Sequence, residues 1–143
     1  MSLYAGQDRE SLRAAWREAW RRRMEGLPLE PLQAQMADLV GMHPEYQPQM
    51  LPAPAVAAGD AGAAHDGGNA FLHLSLHLAL REQLATNRPA GIAQVHQRLS
   101  AALRDPHAAE HRMIEVLGQT LWDAQRAGRM PDERQYLEAL RRL

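Results

Sequence analysis

The sequence predicts an all-α fold, a single-domain helical bundle of about six helices with one long flexible Ala/Gly/Pro loop. Three observations predict it. Apolar residues recur at spacings of three and four in successive windows, and no stretch alternates apolar and polar as a strand would. Gly, Pro and Asp stand at the edges of those windows, where helices stop and start. A chain of 143 residues is long enough for one core and too short for two ordinary domains. Residues 1–143 therefore read as one helical domain.

The elements follow in order. The first helix is expected over 8–25, with Asp8 or Ser11 as its cap, a stripe of Leu12, Ala15, Trp16, Ala19 and Trp20, and Gly26 and Pro28 at its end. A second helix is expected over 30–40, opened by Pro31 and closed by Gly41. His43-Pro44-Glu45-Tyr46 then reads as a turn with an exposed histidine. Residues 47–68 hold three prolines and four glycines among many alanines, too little apolar surface to offset their ordering, and read as the flexible loop. Asn69 is placed to cap a third helix over 70–85. Its residues Phe71, Leu72, Leu74, Leu76, Leu78, Leu80 and Leu84 make it apolar on nearly all sides, as in a helix central to a bundle. After a turn at Asn87–Gly91 comes an amphipathic helix over 92–104, carrying Ile92, Val95, Leu99 and Leu103. Asp105-Pro106 opens a fifth helix that Gly128 stops at about Ala127. Asp132 caps a last helix running to Leu143.

Composition narrows the function. With no cysteine, a metal site would have to use His, Asp and Glu. The net charge of −1 argues against nucleic acid. The run Arg21-Arg22-Arg23 suits the solvated C-terminal end of a helix. The first residues show no basic and apolar pattern of a secretory signal. The longest apolar stretch is interrupted by His73, Ser75 and His77 and is far short of the roughly 20 residues of a membrane span. A cytoplasmic location is expected. No glycine-rich phosphate loop precedes a helix. His65-Asp66 resembles the metal pair of phosphohydrolases, but its glycine-rich setting speaks against it.

The chemistry is carried by histidine spacing. His73 and His77 are four apart on the third helix, His107 and His111 four apart on the fifth. Residues at i and i+4 share a helix face, so each pair can chelate one metal ion. Random placement of seven histidines in this chain gives roughly 0.3 such pairs. His73 and His77 fall on the stripe of Leu76, Leu80 and Leu84, and therefore point inward. Glu110 projects into the apolar face of Met113, Ile114, Leu117 and Leu121, where a carboxylate needs a cation, a hydrogen-bond donor or a metal. The order His107-Ala108-Ala109-Glu110-His111 also fits the inverted zinc-peptidase motif, in which the Glu is a general base. The candidate metal ligands are thus His73, His77, His107, His111 and Glu110, with Glu110 also the candidate catalytic base. The donor set suits Zn²⁺ or Fe²⁺. Four imidazoles would close a structural site; three with a water would leave a catalytic one.

A rival reading makes the chain a metal-free protein-interaction module. In it the His/Glu set is a structural hydrogen-bond network, with Glu110 paired to His77, His73, Arg81 or Arg112. The first helix, through Trp16 and Trp20, then docks a protein partner or a second copy in a homo-oligomer.

The segment Asn69-Ala70-Phe71-Leu72-His73-Leu74-Ser75-Leu76-His77-Leu78-Ala79-Leu80-Arg81-Glu82-Gln83 resembles the signature of an uncharacterised bacterial family, domain of unknown function 1841. Arg88-Pro89-Ala90-Gly91-Ile92, Glu110-His111, Leu121-Trp122-Asp123-Ala124-Gln125-Arg126 and His43-Pro44-Glu45-Tyr46 are similar to its other motifs. The resemblance covers most of the chain. It departs in the loop before Asn69 and at Gln47, where the family is associated with a further His, which weakens the turn as a ligand source. It implies a cytosolic bacterial protein and carries over no catalytic residue.

Overall fold

The computed structural model describes the backbone of residues 6–51 and 61–143 and the side chains of 9–51 and 70–143. Its elements are α1 (Gly6–Met24), α2 (Pro31–Gly41), a 3-10 helix (Pro44–Met50), α3 (Ala61–Thr86), α4 (Ile92–Leu103), α5 (Pro106–Ala127) and α6 (Glu133–Arg141). No strand occurs among the described residues, so the all-α expectation holds. Two compact units divide the chain within α3, Met1–Leu74 and Ser75–Leu143.

In the first unit α1 packs on α2, and both touch the 3-10 helix. Trp16 and Ala19 from α1 and Met36, Ala37, Leu39 and Val40 from α2 are buried. Gly26 ends α1 at φ +70°, a conformation that costs glycine little and other residues more. The Arg run is tied locally. Arg21 pairs with Glu18 and Glu25, Arg22 donates to the Pro28 carbonyl, and Arg23 reaches Asp38 at 3.0 Å. Trp16 is fully buried. It therefore presents no face to a partner, whereas Trp20 is half-buried.

The loop expected over 47–68 is shorter. Residues 47–50 complete the 3-10 helix, held by burial of Met50 and by Gln47 Nε2 donating to the Val40 carbonyl at 3.3 Å. Residues 52–60 lie outside the described residues. Helix α3 starts at Ala61, not at Asn69. Ala61, Ala63 and Ala64 are strong helix formers, and extending an existing helix gains a hydrogen bond for each residue fixed. The His65-Asp66 pair therefore sits on helical backbone, its side chains outside those described. Nor is α3 buried all round. Phe71, Leu74, His77 and Leu80 are buried and spread over about half of its circumference, whereas Leu72 is 59% exposed.

In the second unit Leu80, Ile92, Val95, Leu99, Met113, Leu117 and Leu140 close a core contributed by α3 to α6. The caps read from the sequence are in place. Asp105 accepts from the His107 N–H, Asp132 accepts from the N–H groups of Arg134 and Gln135, and Gly128 ends α5 at φ +68°. Asn87 Oδ1 accepts from the Gly91 and Ala93 N–H groups at the start of α4. Asp132→Ala should cost about 1 kcal/mol in urea unfolding, the usual worth of such a cap. Tyr136 is buried and donates to Gln83 Oε1 at 2.7 Å. Burial pushes its hydroxyl well above the ordinary tyrosine range. The unfolded chain then loses the phenolic proton first as pH rises through about 10, and the fold loses stability in that window. Tyr136→Phe should flatten the alkaline limb of a stability–pH curve.

Candidate metal centre

The first unit contributes one histidine pair. His43 follows the last turn of α2 and is fully buried. Its Nδ1 lies 2.7 Å from the Leu39 carbonyl. A carbonyl only accepts, so Nδ1 carries the hydrogen and Nε2 of the neutral ring keeps its lone pair. That Nε2 is 3.1 Å from Nε2 of His73 on α3, and the His43 ring stacks on Tyr46 at 5.5 Å between centroids. His43 is thus buried beside His73, against the sequence expectation of an exposed histidine. Pro44 opens a 3-10 helix here, and the Leu39 carbonyl draws the ring inward.

The second unit contributes a larger group. His77 on α3 is fully buried, and its Nε2 donates to Glu110 Oε1 at 2.7 Å. Arg81 Nε, one turn further along α3, reaches the same oxygen at 3.2 Å. His96 Nε2, from α4, lies 3.1 Å from Glu110 Oε2. Beyond His77 stand His107 and His111 of α5, with ring centroids 5.6 and 5.5 Å from His77 and 4.1 Å from each other. Ring nitrogens of His77 and His111 fall within 4.8 Å of each other.

Glu110 sets the electrostatics. Burial pushes its carboxyl pKa up, but the His77 hydrogen bond, the charges of Arg81 and of protonated His77 and the His96 hydrogen bond outweigh it, holding the pKa at about 2. The group is a carboxylate, which only accepts, so His77 Nε2 carries the hydrogen. In a neutral His77 ring the lone pair would then lie on Nδ1, which is itself buried. His43 and His77 thus present opposite nitrogens for one reason, that each has its other nitrogen bound to a buried oxygen. Imidazole ligands of metals show this arrangement, in which a carbonyl or carboxylate fixes the tautomer and the ring.

Three of the four sequence-predicted imidazoles, His77, His107 and His111, meet in the second unit. His73 meets His43 in the first. Of the partners foreseen for Glu110, His77 and Arg81 are present. Both Glu110 oxygens are taken. The sequence places His43 on an exposed turn and does not single out His96. A weak signal for His96 existed, since it is four residues after Ile92 and borders the stripe of Ile92, Val95 and Leu99.

A family model described as domain of unknown function (DUF1841) matches residues 8–142. The chain belongs to the DUF1841 family. No curated protein matches, and no solved structure matches. The family has no assigned activity, so the chemistry of this DUF1841 chain rests on the geometry above. No described helix is long and apolar enough to cross a membrane.

Proposed function

We propose that the protein binds one divalent transition metal, Zn²⁺ or Fe²⁺, through imidazoles presented by α3. His73 and His77 lie one turn apart on one helix face and form the chelating pair. His43, beside His73, and His111, beside His77, are the further ligands, with His107 the alternative to His111. Glu110, which the sequence suggested as ligand or base, here orients His77. The setting inferred is the bacterial cytosol.

The observation that carries the reading is the pair of anchored tautomers. Leu39 O on His43 and Glu110 on His77 leave each buried ring with a lone pair directed away from its anchor, among other imidazoles. Supporting it is the 3.1 Å between the Nε2 atoms of His43 and His73. Two nitrogens each at about 2.0–2.1 Å from one zinc ion are about 3.3 Å apart at a tetrahedral angle and about 2.9 Å at a right angle. The same distance suits an N–H···N hydrogen bond, which a metal would replace along with its proton. The Glu110 bonds also suit the metal-free network, so metal content decides between the readings. Elemental analysis of protein purified without an affinity tag should find close to one metal per chain, and His73→Ala and His77→Ala proteins should lose it. Metal-free wild type that takes up none on incubation favours the network.

A further inference from the structure

We infer that His96 is a positioning residue for the metal centre, holding Glu110 in the orientation that fixes the ligating tautomer of His77; the inference rests on the proposed metal site. The two donors to Glu110 Oε1, His77 and Arg81, both come from α3 and both meet the same oxygen. They hold one oxygen only, and from one helix, so neither of these two bonds holds Oε2. The other oxygen meets His96 Nε2, from a different helix, at 3.1 Å. Three helices of the second unit therefore fix both ends of one carboxylate: α3 through His77 and Arg81, α4 through His96, and α5 through Glu110 itself. Arg81 cannot replace His96. It binds the wrong oxygen through a longer contact, and its side chain is 39% exposed and so partly solvated. Glu110 itself is 6% exposed, so few waters reach Oε2 if His96 is removed. The carboxyl then swings toward the nearest donor and the His77 Nε2–H···O bond loosens. Both His77 tautomers become populated, and only the one with its lone pair on Nδ1 ligates. Glu110 is the partner one step removed from the metal, where a loss typically changes affinity by 10- to 100-fold, and His96 acts through it with a smaller effect.

The test compares wild type, His96→Ala and His96→Gln, whose amide N–H can stand near the imidazole Nε2–H. Metal affinity is measured by Zn²⁺ competition with a chromophoric chelator. The His77 tautomer is read in metal-free protein from ¹⁵N side-chain NMR. His96→Ala should weaken Zn²⁺ binding several-fold, up to about tenfold, and mix the His77 tautomers, and His96→Gln should restore both. Zn²⁺ bound equally well by His96→Ala, with His77 still purely Nε2-protonated, overturns the role given to His96 and leaves the metal site standing. If wild type binds no Zn²⁺, the metal site falls, and the NMR comparison alone decides whether His96 orients His77.

Discussion

Metal-stripped protein is expected to gain roughly 10 °C in Tm when Zn²⁺ is added about a hundredfold above its Kd. At that excess a ligand of the folded state adds about 2.7 kcal/mol, and for a chain of this size each kcal/mol moves Tm by several degrees. His77→Ala should show almost none of this gain, since it removes one ligand and leaves Glu110 facing a cavity. His77 is fully buried, so that variant also lowers the metal-free Tm. His73→Ala, on a half-buried residue, separates the two effects by losing the zinc response at a smaller cost to the metal-free fold. A Tm that rises equally in both variants would point to zinc bound elsewhere.

Replacement of Glu110 by glutamine is the second large effect. In the wild type a buried carboxylate accepts from His77, Arg81 and His96. Glutamine can accept on one side only, and its amide N–H faces a donor on the other. Leaving a buried donor unsatisfied costs about 1–3 kcal/mol, and more beside a charge. The pH dependence has a definite sign. The folded pKa of about 2 lies below the ordinary 4.5. The stabilisation is therefore complete above the unfolded value and is lost as pH falls from there toward 2. A shift of that size corresponds to roughly 3 kcal/mol. Urea midpoints between pH 6 and pH 2.5 in metal-free protein should fall steeply for wild type and less so for Glu110→Gln. Parallel curves would show that Glu110 does not carry the acid limb.

Much of the fold was legible because its signals are local. Asp105-Pro106, Asp132 and Gly128 mark helix ends by hydrogen bonding and backbone conformation that involve only a few neighbouring residues, and all three stand where expected. The start of α3 was not legible, since Asn69 is as good a cap as any and nothing local says that the helix runs on to Ala61. Leu72 shows the same limit. An apolar residue on a helix says which faces can be buried, whereas the neighbours decide which are. In the site, the i and i+4 spacing put His107 beside His111 on one helix, and the cost of a buried carboxylate foretold that Glu110 would be paired. The first-unit partner of His73 was hidden because His43 is thirty residues away, and its burial depends on the 3-10 helix that follows. His96 has no companion at helical spacing, so nothing in the sequence set it apart from any half-buried histidine.

X-ray absorption at the metal edge of tag-free, metal-loaded protein reads the donors themselves. The expected spectrum shows about four nitrogen neighbours near 2.0–2.1 Å with the outer-shell scattering of imidazole rings, and loss of one ring in His43→Ala. A first shell of oxygens without imidazole scattering, or the same spectrum in His43→Ala and His77→Ala, would contradict it.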